Sequence, residues 1–292
     1  MRTLHALVLS TSLLLVGCGG GTGDLATDAG ISADASVALD LQSHELKAMG
    51  NANATGSASR LMFRRVPAGT ATIGRVDADV LAEGDERSAS TVSFSEFLIS
   101  STELTQEQWW AMAGTDPWEV TVDLATAGVD ATRVVGLSRP AVGMTRAEVL
   151  AACQRFAPSG WRLALPTPAQ WEYAALAGAV NNEGGPARFA WGDLMSDSTV
   201  ERNANVYLTT SSDPLLALQA HVVGSHQPNA FGLFDMHGNV WEMTDAGGAS
   251  DVVVCGGAWD QPVLQARASN RMKIPAAVGL PTVGVRLVLV RE

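Results

Sequence analysis

The apolar segments of this chain are short, and Gly or Pro stands between most of them. With 29 Gly and 12 Pro in 292 residues, there is little room for long amphipathic helices or long alternating strands. Strand-like pieces fall at 61–66, 70–74, 92–99, 252–254 and 283–290. Two helix starts are legible. Thr105 precedes Gln106-Glu107-Gln108, where a threonine cap and a glutamine three residues on can satisfy each other's orphan N–H groups. Thr167 precedes Pro168, and Pro at the first helical position gives up an N–H that would be unpaired anyway. A third helix follows residues 144–148 and sets Val149, Leu150, Cys153 and Phe156 on one face. Few helices, many short strands and long Gly-rich loops predict an irregular, loop-rich α+β fold. Hydrophobic residues at 47% and charged residues at 17% supply a core and exclude disorder as the general state.

The N-terminus reads differently. Arg2 precedes an apolar run over residues 6–16, too short to span a bilayer and suited to the core of a signal peptide. It ends in Leu15-Val16-Gly17-Cys18, which looks like a bacterial lipobox. That resemblance implies cleavage after residue 17, lipidation of Cys18, and anchoring by several acyl chains. Gly19 in the following position favours the outer membrane. Residues 18–60 are rich in Gly, Ala, Ser, Thr, Asp and Asn and read as a flexible tether. Residues 61–292 carry no second linker and form one domain. A net charge of −11 offers phosphate backbones no attraction, so nucleic acid is not expected as a partner.

Seven blocks then occur in a telling order. Arg65-Val66-Pro67-Ala68-Gly69-Thr70 with Ile73-Gly74 opens the series, and Phe97-Leu98-Ile99 with Glu103-Leu104-Thr105 follows. Next come Leu165-Pro166-Thr167-Pro168-Ala169-Gln170-Trp171-Glu172-Tyr173-Ala174 and Phe189-Ala190-Trp191-Gly192-Asp193. The longest runs Pro228-Asn229-Ala230-Phe231-Gly232-Leu233-Phe234-Asp235-Met236-His237-Gly238-Asn239-Val240-Trp241-Glu242. Gly256-Gly257-Ala258-Trp259 and Gly284-Val285-Arg286-Leu287 close it. The series resembles the formylglycine-generating enzyme, or sulfatase-modifying factor, family. The resemblance implies a C-type-lectin-like fold, with Trp171, Trp191, Trp241 and Trp259 as core residues rather than a substrate platform.

Active members of that family use two Cys, copper and O₂ to oxidise a substrate Cys to formylglycine. Here the corresponding positions hold Gln261 and Ala266, and Ala258 replaces a family Ser. Neither side chain can become a thiolate, the soft donor that Cu(I) requires. No copper and no catalytic residue are therefore expected. Cys153 reads as a buried small hydrophobe, and a Cys153–Cys255 bridge stays open at this point. An iron branch of the superfamily uses three His in a separate helical domain. His44, His221, His226 and His237 show no such pattern.

Calcium is what the resemblance implies instead. Asp235 and Glu242 would give carboxylate oxygens, and Gly238 and Val240 backbone carbonyls, a hard donor set. A second calcium site would use Asn205 and Val206, but Asp213 is its only nearby carboxylate, and Leu215, Leu216 and Leu218 stand where polar ligands belong. Two functions compete. One is a lipid-anchored envelope protein that binds an unidentified protein or small ligand, or serves as a scaffold. The other is an oxidoreductase with a modified active site.

Overall fold

A computed structural model describes residues 36–42, 46–49, 60–75, 88–120, 133–156, 158–208 and 218–292. The cap signals set the helices. In α1 (Gln106–Ala113) Thr105 Oγ1 accepts the Gln108 N–H at 3.2 Å, and Gln108 Oε1 accepts the Thr105 N–H at 3.0 Å. The same reciprocal pair opens α3 (Arg146–Arg155) with Thr145 and Glu148, and α4 (Pro168–Leu176) with Thr167 and Gln170. Two short helices were not anticipated: α2 (Pro117–Val120) and α5 (Asp197–Asn203). Among the described residues no helix is long and apolar enough to cross a membrane.

Twelve strands are described. They are β1 (Ser36–Asp40), β2 (Leu46–Met49), β3 (Arg60–Val66), β4 (Gly69–Ile73), β5 (Ser90–Phe94) and β6 (Phe97–Ser100). There follow β7 (Trp161–Ala164), β8 (Trp241–Thr244), β9 (Asp251–Cys255), β10 (Arg271–Pro275), β11 (Val283–Val285) and β12 (Val288–Arg291). The six-stranded sheet has the order β2-β1-β3-β6-β12-β7, with every neighbouring pair antiparallel. A four-stranded sheet runs β10-β9-β8-β11, with β11 parallel to β8, and β4 pairs with β5 alone.

Two expected strands are each two. The piece at 92–99 breaks at Ser95 and Glu96, and its halves join different sheets. The piece at 283–290 breaks at Arg286 and Leu287, where the chain crosses from the four-stranded to the six-stranded sheet.

The tether is corrected at 36–49. β1 pairs with β3 in register Val37↔Phe63 and Leu39↔Leu61, and β2 pairs with β1. Val37, Leu39 and Leu41 lie in the main core with Phe63, Leu98, Trp109 and Leu163. Burying such side chains contributes about 1.5–3 kcal/mol each, enough to hold a hairpin on a sheet edge. The signal segment and Cys18 lie outside the described residues.

Candidate functional site

The segment at which the resemblance places a redox pair begins with two glycines. Gly257 has φ +74, and a Cβ there would lie 2.9 Å from the Ala266 backbone, so the two halves of the loop meet at van der Waals contact. Ala258 and Trp259 are buried behind it. Gln261 is half-buried, its N–H bonded to Ala258 O at 3.0 Å and its carbonyl accepting from Tyr207 N at 2.8 Å. Ala266 ends a 3-10 turn, Val263–Ala266, and is fully buried. The loop thus persists without sulfur.

The remaining thiols do not replace the pair. Cys153 and Cys255 are free and buried, and they belong to separate core clusters. Burial pushes each thiol up to about 12, so the nucleophilic thiolate is nearly absent at neutral pH.

His237 packs against the 266 turn. Its Nε2 accepts the Ala190 N–H at 3.0 Å, which leaves Nδ1 as the protonated nitrogen, donating to Ala266 O at 2.7 Å. Phe189 and Trp191 meet the imidazole edge-on at 5.6 and 5.0 Å. Burial lowers its pKa to about 4, with the Ala266 carbonyl opposing. A neutral ring with both nitrogens bonded fastens two loops and has no lone pair left for a substrate proton.

The proposed calcium loop is tightly built. Gly238 has φ +86, and a Cβ would fall 2.3 Å from Asn205 O. Asn239, also at positive φ, donates its N–H to that same oxygen at 2.7 Å. Its two carboxylates, however, answer to protein donors. Glu242 accepts Arg286 Nε at 2.9 Å and Nη2 at 2.8 Å, and Trp171 Nε1 at 2.6 Å. Asp235 accepts the Gly224 N–H on Oδ2 and lies 3.1 Å from His226 Nδ1 through Oδ1.

Burial works against the Arg286 charge, but Glu242, Glu103 and Asp235 more than offset it. A guanidinium already occupies the place of the counter-charge, and it would repel a calcium ion there. Of the set Asp235, Gly238, Val240 and Glu242, both carboxylates are therefore already engaged by protein donors, which weakens the fit to calcium. At the second site Asn205 Nδ2 bonds Gln219 O and Asn239 Oδ1, Val206 is buried under α5, and Leu218 packs on the core. Asp213 lies outside the described residues. Among those described, no three His, Cys, Asp or Glu side chains form a metal-holding group.

Two buried groups escaped the sequence reading. Arg286 also reaches Ser100 O and Phe234 O at 2.8 and 2.7 Å, so one side chain ties both large sheets to the 235–242 loop. Glu103 is fully buried, and its Oε1 accepts Asn239 Nδ2 at 2.9 Å. Burial, then Asp235, raises its pKa well above the usual carboxylate range. For Arg286 the signal was a charged residue inside an otherwise apolar block, because such a group must find a partner when buried; Glu103, among Ser and Thr, carried no such signal.

Trp171, Trp241 and Trp259 are core as expected, whereas Trp191 is only half-buried.

Comparison with known proteins agrees with this architecture. The sulfatase-modifying factor enzyme 1-like domain profile matches residues 53–291. The chain belongs to this family.

Formylglycine-generating enzymes of Streptomyces coelicolor and Mycobacterium tuberculosis are 35% and 38% identical to it, over 83 and 87 residues. Each match covers 27% of the chain, and the chain spans only about a quarter of either relative, 24% and 26%. Among solved structures, Treponema denticola variable protein 1 aligns with a TM-score of 0.60 and 20% identity, covering 82% of this chain and 98% of that one. PvdO from Pseudomonas aeruginosa aligns with a TM-score of 0.59 and 24% identity, covering 81% and 95%. These likenesses establish the fold alone. β1 and β2 precede the matched region, so this sulfatase-modifying-factor domain carries a hairpin ahead of the family segment.

Proposed function

We propose that this protein is a lipid-anchored protein of the bacterial cell envelope, held at the outer membrane through Cys18. Its sulfatase-modifying-factor domain binds a protein or small ligand, or acts as a scaffold, without thiol oxidation. One observation carries the reading: Gln261 and the buried Ala266 stand where the family chemistry needs thiolates. An amide is a hard, weak donor and a methyl group is none, so Cu(I) has no soft ligand in the loop. Fold membership does not by itself confer activity.

The oxidoreductase alternative is tested directly. Copper-loaded protein is incubated with a Cys-containing sulfatase-type peptide, and the peptide is weighed by mass spectrometry. The expected result is an unchanged peptide; the mass loss that marks conversion of thiol to aldehyde would overturn the non-enzyme reading. The anchor has its own test. Cys18→Ser releases the protein from the detergent phase into the aqueous phase, and unchanged partitioning would defeat the lipoprotein assignment.

A further inference from the structure

A cavity of about 130 Å³ opens beside His237, between the 190–191 turn, the end of α5 and the 227–237 loop. Its open surface is more polar than apolar, and two side chains on it are unspent. Asn203, the last residue of α5, donates Nδ2 to Thr199 O at 2.7 Å, and among the described residues its Oδ1 has no protein partner. The Gln227 N–H reaches Arg202 O at 3.1 Å, which sets Gln227 beside Asn203. Its exposed side-chain amide is likewise unpaired among the described residues. This wall offers an acceptor next to a group that both donates and accepts.

The wall at 190–191 is aromatic. Trp191 lines the cavity and is half-buried, with Phe189 stacked on it at 4.7 Å. His237 meets both rings edge-on at similar distances, 5.6 and 5.0 Å, so it stands beside the pair. Neither Phe189 nor His237 covers the outer face of the indole. The other polar groups of the lining are committed. Asn229 bonds two carbonyls of α4 and two N–H groups of its own loop, and His237 is bonded at both nitrogens. The Asp235 side chain is 1% exposed and bonded at both oxygens, so a cation gains little from it. Among the described residues no Lys or Arg lines the cavity, so an anion meets no counter-charge.

An uncharged occupant follows, and the two walls narrow it further. A wholly apolar ring would strip water from Asn203 Oδ1 and the Gln227 amide and return no partner. A small polar group without a ring would leave the indole unused. A pyranose meets both walls, because its C–H face is apolar and its neighbouring hydroxyls each donate and accept. An enclosed cavity of about 150 Å³ holds benzene, so this open one takes one six-membered ring and leaves the remaining substituents outside.

We infer that the cavity beside His237 binds one uncharged sugar ring, its C–H face on Trp191 and two neighbouring hydroxyls on Asn203 and Gln227. The inference rests on the binding reading above and names its ligand class. The ring is either a free sugar or one residue of a glycan.

Ligand-observed NMR on the full chain tests the site, with the methyl glycosides of glucose, galactose and mannose as probes and cyclohexanol and glycerol as controls. Cyclohexanol has the ring without neighbouring hydroxyls, and glycerol has the hydroxyls without the ring. At least one glycoside is expected to bind with a dissociation constant on the order of 1–10 mM, as suits so few contacts. Both controls should bind at least about fivefold more weakly. Gln227→Ala removes an exposed amide and should weaken the glycoside about fivefold. Ala230→Trp fills an exposed rim position and should weaken it about tenfold, and neither variant should change the melting temperature. An oligosaccharide of the same sugar that binds more tightly marks a glycan as the source, and equal affinity marks a free sugar. No glycoside binding, a control that matches the glycosides, or binding indifferent to both variants would overturn the inference. Because the peptide-oxidation assay reads chemistry and this one reads occupancy, either reading can fail alone.

Discussion

His237 shows how one residue can join segments that the sequence keeps far apart. Between Met236 and Gly238 it carries no signal in the sequence, because a lone His beside Gly has no period and no ligand spacing. Its role depends on Ala190 and Ala266, which only the fold brings to it. The absent thiols, by contrast, were legible, because Trp259 fixes the count to positions 261 and 266. The imidazole also makes stability depend on pH. Its folded pKa is about 4 against about 6.5 unfolded, so the unfolded chain binds the proton more readily between those values. The stabilisation is complete above pH 6.5 and is lost as pH falls toward 4, roughly 3 kcal/mol in full. Urea unfolding at pH 7 and pH 4.5 should show a steeper loss for the natural protein than for His237→Gln, which has nothing to titrate there. Parallel losses would mean that the ring is protonated in the native state.

At the scale of elements, legibility followed local signals. α1 and α4 announced themselves because cap and partner lie three residues apart, and β3, β4 and β9 because β-branched and apolar residues cluster between turns. β8 is buried at all four positions and begins at the end of a motif block, so it has no alternation to read. β10 mixes Arg and Lys with Met, Ile and a terminal Pro, which reads as loop. α5 buries Val200 and no other residue, too little for a helical stripe.

β1 was hidden by its small, polar surroundings, and its stability comes from the edge of β3 rather than from itself. Leu39→Ala distinguishes hairpin from tether. Leu39 is fully buried, so its truncation should cost about 2–5 kcal/mol of unfolding free energy, measured by urea titration. An unchanged midpoint would return residues 36–49 to the tether.

The whole molecule turns on how two large sheets and a Gly-rich loop are held together, and Arg286 stands at their junction. The chain passes from β11 to β12 at this residue, and a buried cation at such a crossing must be answered from every side. Glu242 answers from β8, Ser100 from β6, and Phe234 from the loop before the glycine turn. The family resemblance implied a calcium ion at Asp235, Gly238, Val240 and Glu242; in this chain the Arg286 guanidinium holds the Glu242 carboxylate. Two measurements separate these arrangements. Arg286→Gln leaves the Glu242 and Glu103 carboxylates buried without their cation, and should cost about 3–5 kcal/mol. A chelator should leave the melting temperature of the natural protein unchanged, because Arg286 already answers the Glu242 carboxylate. If calcium instead carried it, chelation would remove the RT ln(1 + [L]/Kd) that binding adds to stability, about 2.7 kcal/mol at one hundred times Kd. A melting temperature that falls with chelator and recovers with added calcium would therefore give the junction back to the metal, and would require Glu242 to divide its oxygens between calcium and Arg286.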